Sequence, residues 1–327
     1  MRAVVTGGTG FLGSHLVEHL LANNIEVISL SRGSTSSGYL GTTKAVIKKA
    51  DINNQSEIED CIEAGDMVFH TAALLGSAAA SREAYYRVNV EGTMNVLRAA
   101  INKKASTFTY VSTFAGMGPV GSIENPMTEE TVCRPDNIYG ETKVVAEEKI
   151  KELAQERIPV VIVRPNIIYG PRMNTRTAAG KLFFNMRKSV FVMVGNTKNY
   201  FPVTYVKNLA ASMLFFAQNH KSGINIYLMV DGEPVQLNYI LKRIRDQFGV
   251  NKIILSIPYG LAWAIALLME GLGKVFHFTP LLARYVVRAM GKSYFFYSMK
   301  KSEKAGFTLP FTLEEGIQET ADWMKGI

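Results

Sequence analysis

The chain has 327 residues, of which 47% are hydrophobic and 20% are charged, so it can bury a large core and is not expected to be disordered. Its formal net charge of +8 comes from scattered lysines and arginines, and the lack of a basic helix with interleaved aromatic residues argues against nucleic-acid binding. The start MRAVVTGGTG lacks the features of a secretory signal, so we expect a cytoplasmic protein, and the spacing of Cys61 and Cys133 indicates neither a disulfide framework nor a metal site.

The first half of the chain alternates short β-branched runs with helical patterns. Strands are predicted at RAVVT, EVISL, AVIKKA, DMVFHTAA and TFTYVST, with helices over 11–24 and 82–102. This order is typical of a parallel sheet with helices on both faces, and it predicts an α/β fold with a doubly wound sheet. A further unit follows, in which a helix over 136–156 precedes the buried strand VVIVRP.

Beyond residue 170 the alternation becomes irregular. Helices are predicted over 178–187, 207–219 and 235–249, and short strands at FVMVG and YFPVTYV. We interpret this part as a smaller, substrate-binding lobe that is interleaved with the sheet domain. The predicted sheet domain takes residues 1–170 with a returning contribution from about 203–230, and the predicted lobe takes residues 171–202 and 231–327.

The most apolar segment of the chain is IPYGLAWAIALLMEGLGKVF, residues 257–276. Glu270 interrupts it well short of the ~20 apolar residues that cross a bilayer, so it is not predicted to span a membrane. A buried or lid helix is the simpler interpretation. A surface that touches a membrane peripherally or admits an apolar substrate is the alternative.

A glycine-rich segment, VVTGGTGFLG, joins the first strand to the first helix. Gly8, Gly10 and Gly13 have GxGxxG spacing, and Gly7 replaces Gly8 in an equally good GxxGxxG spacing. Glycine allows the backbone to approach a pyrophosphate, and a helix N-terminus offers free N–H groups to it. A tight structural turn would explain a lone glycine triplet, but the strand before it and the helix after it favour a bound dinucleotide. The predicted contacts are Gly7, Thr9, Gly10, Phe11, Leu12 and Gly13.

The end of the second strand indicates which dinucleotide is bound. An acidic residue there would hold the ribose hydroxyls of NAD, but the chain has Ser31 and Arg32 in VISLSRG. Arginine pairs with a 2′-phosphate, so NADP is favoured over NAD unless Arg32 merely lies in solvent. Asp51 and Ile52 come after the AVIKKA strand and are predicted cofactor contacts. The carboxylate of Asp51 either accepts from the adenine amino group or caps the helix that starts near Asn54.

The motif YGETK lies in the helix over 136–156 and places Tyr139 and Lys143 on one helix face. A free tyrosine ionises near pH ~10, too high for a base at neutrality. The lysine ammonium and the positive nicotinamide would lower the pKa of Tyr139, which could then exchange a proton with a substrate oxygen during hydride transfer. YxxxK alone is usually a plain helix face. The motif indicates a catalytic site here because YVSTFAGMG supplies Ser112 and Thr113 as hydroxyl donors at a strand end.

These motifs together resemble the extended short-chain dehydrogenase/reductase family, whose members are NAD-dependent epimerase/dehydratase-like, over essentially the whole chain. The resemblance rests on TGGTGFLG, Asp51, HTAA, NVEGTMNVL, VSTFAGMG, YGETK and RPNIIYGP in this order. It implies a Rossmann-type fold, a catalytic triad of Thr113, Tyr139 and Lys143, and a homodimer built from the helices over 82–102 and 136–156. It also implies Asn89 as a structural asparagine. The further cofactor contacts that it implies are Thr71, Ala72, Ala73, Ser112, Pro165 and Ile168.

The positions at which this chain departs from the family's motifs indicate which branch of the family it resembles. Nucleotide-sugar dehydratases carry an Asp-Glu pair after the catalytic threonine, but this chain has Phe114 and Ala115. Nucleotide-sugar epimerases carry an RDFxHVxD-like stretch, and FPVTYVKN puts Phe201 at the position of its arginine. The chain is more similar to the 3β-hydroxysteroid dehydrogenases and the related lipid or flavonoid ketone reductases. Leu74, Leu75, Met117, Tyr205 and the region of Trp263 are candidates for lining an apolar pocket, although core packing explains them equally well.

The sequence therefore predicts an NADP-preferring oxidoreductase that interconverts a secondary alcohol and a ketone. Its expected substrate is small and hydrophobic, resembling a steroid, an acyl lipid or a flavonoid. The alternative is an NAD-dependent nucleotide-sugar epimerase, and a third hypothesis is a non-catalytic dinucleotide-binding regulator. The presence of Thr113, Tyr139 and Lys143 argues against the third.

Overall fold

A sheet of parallel strands forms the centre of the protein. The computed structural model describes residues 1–33, 38–41, 43–75, 80–118, 122, 124–175, 177–187, 190–195, 200–249, 253–276, 284, 287 and 296–327. The strands in this part of the chain are β1 Arg2–Thr6, β2 Glu26–Ser31, β3 Val46–Lys49, β4 Met67–His70, β5 Thr107–Val111, β6 Val160–Pro165, β7 Ile167–Tyr169, β8 Val190–Val194, β9 Val203–Tyr205, β10 Ile224–Met229 and β11 Ile253–Ile257.

The α-helices pack around this sheet. They are α1 Phe11–Ala22, α2 Gln55–Glu59, α3 Arg82–Tyr86, α4 Gly92–Asn102, α5 Ile138–Ala154, α6 Ala178–Met186, α7 Val206–Gln218, α8 Leu237–Phe248, α9 Tyr259–Phe276, α10 Lys300–Lys304 and α11 Leu313–Lys325. The predicted helices agree with the structure to within a few residues, whereas α10 and α11 were not predicted. A π-helical turn over Arg87–Glu91 joins α3 to α4, so the two form one continuous helical segment.

The order of the strands creates a crevice at one edge of the sheet. The order is β10-β6-β5-β4-β1-β2-β3, and all neighbouring strands are parallel. The chain builds outward from β1 to β3 and then crosses back to β4 on the other side of β1. In open sheets of this type, ligands bind at the carboxyl ends of the strands where the order reverses. The predicted α/β fold with a doubly wound, Rossmann-type parallel sheet is thus confirmed.

Alternate residues of the strands enter two separate hydrophobic clusters. In β4, Phe69 packs in the cluster that contains residues of α1 and α7, whereas Val68 packs in the cluster that contains residues of α2, α4 and α5. Successive side chains of a strand point to opposite faces, so helices cover both sides of the sheet. Every residue of β5 and β6 is buried, as expected for central strands of a parallel sheet.

The second half of the chain extends the sheet and adds two short strand pairs. β10 lies beside β6 at the edge of the sheet, and α7 packs against α1. β7 pairs with β9, and β8 pairs with β11. The cluster around α1 continues through Leu237, Ile240 and Ile317 of α8 and α11, so one core joins the two halves. The division into two domains at the boundaries given above stays a prediction.

The apolar segment 257–276 contains the helix α9, which is only partly buried. Ala262 and Ala266 pack against Val194 and Val287 in a small cluster of their own. The opposite side exposes large apolar side chains. These are Leu261, Leu267, Leu268 and Leu272. Within the part of the chain that the structure describes, no helix has the length and apolar character needed to cross a membrane.

Candidate active site

The glycine-rich turn after β1 brings three parts of the backbone together. Gly7 has a φ of +70°, and a Cβ there would lie 2.9 Å from the backbone of Ala72 in the segment that follows β4. A Cβ at Gly13 would lie 2.1 Å from the carbonyl oxygen of Gly7. No side chain could occupy either position without moving the backbone. The glycines therefore hold the start of α1 tightly against the turn, as a pyrophosphate-binding turn requires.

The first turn of α1 is suited to an anion. Its N-cap residue is Gly10, so no side chain caps the helix, and no acidic residue lies in the first turn. The orphan N–H groups at the helix start and the positive end of its dipole are then available to phosphate. Thr9 and Phe11 are half-buried beside the exposed Gly10, and Leu12 packs into the core. These residues fit a dinucleotide, although each predicted contact stays a prediction.

Arg32 follows β2 at the same edge of the sheet and is exposed. The preceding Ser31 is half-buried at the end of the strand. Among the described residues, no ion pair involves Arg32, and its guanidinium is not used to hold the fold. The position fits a cation that faces a ligand phosphate.

Asp51 stabilises a turn after β3 instead of capping a helix. One carboxylate oxygen accepts from the backbone and the side-chain nitrogen of Asn53, both at 2.9 Å. The N-cap residue of α2 is Asn54, so Asp51 does not occupy the capping position. Oδ1 makes both of these bonds, which leaves Oδ2 for the predicted adenine contact, while Ile52 is buried in the core.

The segment after β4 is tied to β1 and to the helical segment behind it. The hydroxyl of Thr71 donates to the carbonyl oxygen of Thr6 at 2.7 Å, and Ala72 and Ala73 follow it half-buried. Leu74 N–H donates to the side-chain oxygen of Asn89 at 2.7 Å, and the amide group of Asn89 donates back to the carbonyl of Leu74 at 3.1 Å. The buried Asn89 thus fixes this segment.

Asn89 also connects this segment to the helix of the candidate triad. Its amide group donates to Thr142 at 3.1 Å, and the hydroxyl of Thr142 donates to the carbonyl oxygen of Tyr139 at 2.9 Å. The role implied by the family resemblance is therefore visible in the hydrogen bonds: Asn89 links the loop after β4 to the first turn of α5.

The buried His70, which was not among the predicted site residues, completes this network. His70 lies 2.7 Å from the hydroxyl of Thr6 and 2.9 Å from that of Thr93, which donates to the carbonyl of Asn89. Thr93 must then accept from His70 Nε2, so the ring takes the Nε2–H tautomer. Burial, and next the charge of Lys143, lower the pKa of His70 to about 3. His70 is thus a neutral structural group.

The glycine beside Tyr139 explains how α5 approaches the strand-end threonine. The helix begins at Ile138 with Asn137 as its N-cap, whose side chain accepts from Gly140 N–H at 2.8 Å. A Cβ at Gly140 would lie 2.6 Å from the carbonyl oxygen of Ala115. Ala115 lies two residues after Thr113, so glycine at this position allows the two backbones to meet.

Thr113 directly follows β5 and is half-buried. Its side-chain oxygen accepts from the N–H of Ala115 at 3.1 Å. Because this bond uses the oxygen as an acceptor, the hydroxyl proton is left to donate to another group. This is the geometry that a residue orienting a substrate oxygen needs.

Lys143 is buried one turn beyond Tyr139. Its ammonium lies 4.1 Å from the centre of the Tyr110 ring, and only 2% of the residue is exposed. Burial lowers the pKa of Lys143 to about 7, and the charge of Glu147 opposes this shift. An aromatic face and a carboxylate thus replace water around the ammonium, but they compensate for only part of the cost of its burial.

The pKa of Tyr139 in the chain alone is raised, whereas the predicted lowering also requires the positive nicotinamide and stays a prediction. Burial, and next the neighbouring Tyr85, raise the pKa of the Tyr139 phenol well above its usual value. Lys143 therefore does not offset the desolvation of the phenol within the chain alone. The physical reason is that burial destabilises the phenolate and the ammonium at the same time.

The hydroxyl of Ser112 is bonded within the protein. It is buried and donates to the carboxylate of Glu147, and the N–H of Ser112 donates to Val163 at 2.8 Å. Pro165 is buried at the end of β6, and Ile168 is half-buried in β7 opposite Thr204. The cofactor contacts of these three residues stay predictions, and that of Ser112 would involve its backbone.

Two of the candidate pocket residues belong to the core instead. Met117 is fully buried, and so is Tyr205, whose hydroxyl donates to Glu319. Leu74 packs against the core, Leu75 is exposed, and Trp263 stacks on Tyr259. Phe201 contributes to a small apolar crevice together with residues such as Ile167 and Phe183.

Proteins of known activity resemble this chain along most of its length. It is 26% identical over 330 residues to the decarboxylating sterol-4-alpha-carboxylate 3-dehydrogenase of Dictyostelium discoideum, with 96% of this chain and 98% of that protein covered. It is 31% identical over 249 residues to a 3-beta-hydroxysteroid dehydrogenase of Mycolicibacterium neoaurum, with 72% and 67% covered.

Epimerases resemble the chain as well. It is 26% identical over 330 residues to the N-acetyl-alpha-D-glucosaminyl-diphospho-ditrans,octacis-undecaprenol 4-epimerase of Escherichia coli O157:H7, with 98% of this chain and 95% of that protein covered. The crystal structure of the UDP-glucose 4-epimerase of Thermus thermophilus in complex with NAD superimposes with a TM-score of 0.77 at 21% identity, covering 100% of this chain and 99% of that one.

A family model matches the part of the chain that carries the candidate site. The model of the NAD dependent epimerase/dehydratase family matches residues 3–229, which is more than half of the chain and includes the glycine-rich turn, Thr113, Tyr139 and Lys143. The chain therefore belongs to the NAD dependent epimerase/dehydratase family and to the extended short-chain dehydrogenases/reductases.

Proposed function

We propose that this protein is an NAD(P)-dependent oxidoreductase that interconverts a secondary alcohol and a ketone on a hydrophobic substrate. One observation carries the proposal: Thr113 has a free donor proton at the carboxyl edge of the sheet, and α5 brings Tyr139 and Lys143 to the backbone that follows it. The glycine-rich turn beside α1 fits the dinucleotide that this chemistry requires.

The three side chains have distinct roles. The Thr113 hydroxyl donates to the substrate oxygen and orients it. The Tyr139 phenol gives a proton to this oxygen or takes one from it. Lys143 holds the ribose hydroxyls and supplies a positive charge beside the phenol. When bound, the nicotinamide supplies or accepts the hydride.

Burial raises the pKa of Tyr139 in the chain alone, so the phenol keeps its proton at neutral pH but is a weaker acid than a free tyrosine. In this proposal the positive charges of Lys143 and of the oxidised nicotinamide would lower the pKa of the phenol again when the cofactor is bound.

NADP is the preferred cofactor in this proposal. The family is described as NAD dependent. The proposed preference for NADP over NAD depends on Arg32, which follows β2 where an acidic residue would hold the ribose hydroxyls of NAD. The exposed guanidinium can pair with a 2′-phosphate.

A hydrophobic substrate is supported by two residues and by the relatives. Phe201 lies in an apolar environment at the position of the epimerases' arginine, and Phe114 is buried against Tyr297 where dehydratases carry an acid. The Dictyostelium discoideum and Mycolicibacterium neoaurum relatives are named for sterol and steroid substrates.

The second candidate is a nucleotide-sugar epimerase, which the similarity to the Escherichia coli epimerase favours. An epimerase reduces and reoxidises its cofactor within one cycle. Cofactor that stays bound through purification, together with activity that needs no added cofactor, would support it. A stoichiometric change of nicotinamide absorbance would support the dehydrogenase.

The central test combines a substrate screen with the substitution Tyr139→Phe. Sterols, β-keto acyl compounds and UDP-sugars are assayed with both cofactors by nicotinamide absorbance. Removing the phenol hydroxyl should lower turnover by about 10²–10⁴-fold. NADPH affinity, followed by fluorescence, should change little because the ring is retained. Full activity in this variant would show that Tyr139 is not the proton donor.

The exposed face of α9 is proposed to contact a membrane peripherally. Leu261, Leu268 and Leu272 are each at least 50% exposed and lie on one side of the helix. Residues 257–302 contain six lysines and arginines but one acidic residue, Glu270, which is paired with Arg284 at 2.7 Å. Apolar side chains beside positive charge suit an anionic lipid surface. The homodimer and the cytoplasmic location stay predictions.

A further inference from the structure

A buried ion pair lies directly behind the candidate triad. The carboxylate of Glu147 and the guanidinium of Arg164 form two parallel contacts, Nε to Oε1 at 3.0 Å and Nη2 to Oε2 at 2.6 Å. Both side chains are 3% exposed. Ser112 donates a further hydrogen bond to Oε1 of Glu147. A bidentate pair with an additional donor is the geometry in which a buried salt bridge is best satisfied.

The pair connects the elements that carry the triad. Glu147 lies on α5, Arg164 on β6, and Ser112 directly before Thr113 at the end of β5. The third guanidinium nitrogen of Arg164, Nη1, donates to the carbonyl oxygen of Glu129 at 3.1 Å. We call Glu147, Arg164 and Ser112 the clamp.

The clamp also supplies a negative charge that acts on Lys143. Glu147 lies one turn after Lys143 in α5, and its charge opposes the desolvation of the ammonium. Tyr110 and His70, which also lie beside Lys143, bring no negative charge at neutral pH, because burial raises the pKa of Tyr110 and lowers that of His70.

We propose that Glu147 is a positioning residue of the triad, whose clamped carboxylate favours the ammonium form of Lys143 and holds α5 against the strand that ends at Thr113. This inference rests on the role of Lys143 in the proposed function. It adds a residue that touches neither substrate nor cofactor.

The test is a pH titration of Lys143 itself. Protein labelled with carbon-13 at the lysine ε-carbon is followed by NMR, and the Lys143 signal is assigned by its loss in Lys143→Met. Glu147→Gln should lower the midpoint by about one pH unit or more, since an opposite charge at this range shifts a pKa by about 1–3 units. Glu148→Gln, an exposed neighbour on the same helix, should leave it unchanged.

A double variant separates electrostatics from folding. Glu147→Gln leaves the Arg164 charge buried without its partner, so this variant should also melt at a lower temperature. Glu147→Gln combined with Arg164→Met removes both charges and should recover most of the lost thermal stability. The Lys143 midpoint should nevertheless remain lowered, because the carboxylate is still missing.

Two results would overturn the proposal. One is a Lys143 midpoint that does not move in Glu147→Gln, and the other is a double variant in which the midpoint returns to the wild-type value together with stability. Either would mean that the clamp only stabilises the fold. Because the titration requires no substrate, a failure of the proposed oxidoreductase activity would be seen separately, in the Tyr139→Phe assay.

Discussion

Arg32 is the residue on which the proposed NADP preference depends. It is exposed after β2 and takes part in no ion pair among the described residues, so its replacement should not disturb the fold. Arg32→Asp removes the partner of the 2′-phosphate and adds a carboxylate that can hold ribose hydroxyls. The NADP-to-NAD affinity ratio should fall at least tenfold, or about 1.4 kcal/mol.

Affinities for the two cofactors are measured by fluorescence titration of NADPH and NADH. Lys44→Asp, at another basic residue between β2 and β3, serves as the control for the change in charge. An unchanged ratio in Arg32→Asp would remove the basis for the NADP preference.

Lys143 should make stability depend on pH in a defined direction. Its pKa is about 7 in the folded chain but 10.5 in its unperturbed state. Between these values the unfolded chain holds a proton that the native one lacks, so the contribution of Lys143 to stability rises with pH, by up to about 1.4 kcal/mol per unit. Below the folded pKa the buried ammonium is a constant cost.

Lys143→Met removes this dependence and is the natural comparison. Urea unfolding of both proteins between about pH 7 and pH 10 should show the wild type gaining stability relative to the variant as pH rises. Parallel curves would mean that the ammonium is not destabilised by burial, and the assigned pKa would then be wrong.

At the scale of the element, the turn between β1 and α1 is held by close backbone contacts. A Cβ at Gly13 would lie 2.1 Å from a backbone oxygen, which no rotamer change can relieve. Gly13→Ala should therefore open the turn and weaken NADPH binding at least tenfold. Gly271→Ala is the matched control, because nothing lies within 4 Å of a Cβ at that position of α9.

Binding is read by NADPH fluorescence, and folding by circular dichroism. Gly271→Ala should keep its affinity and be as stable as the wild type or slightly more so, since glycine weakens a helix interior. If Gly13→Ala bound NADPH as well as Gly271→Ala, the turn would not be the phosphate site.

At the scale of the whole molecule, the proposed membrane contact depends on the exposed leucines of α9. Leu268→Ser combined with Leu272→Ser should reduce co-sedimentation with anionic phospholipid vesicles at least tenfold, because a buried leucine contributes about 1.5–3 kcal/mol. Val132→Ser is the control, since Val132 is 70% exposed elsewhere on the chain. Equal binding by both variants would exclude α9 as the contact.

Much of the site could be predicted because its signals are local. The glycine spacing, the four-residue separation of Tyr139 and Lys143 and the alternation of strands and helices are all set within a few residues of chain. The sheet order then follows from the handedness and shortness of the connections. The pattern of hydrophobic residues did not predict the strand β10. This strand begins 59 residues after the end of β6 and pairs with β6 at the edge of the sheet.

The tertiary structure decided what depends on burial and on contacts distant in sequence. It turned Ser112 toward Glu147, placed Met117 and Tyr205 in the core, and paired Glu147 with Arg164 across 17 positions. It also buried the Tyr139 phenol, which raises the pKa of this group in the chain alone. The sequence by itself determined which chemical groups are present and in what order. Their charges and orientations were decided by desolvation and packing, which arise only when the elements come together.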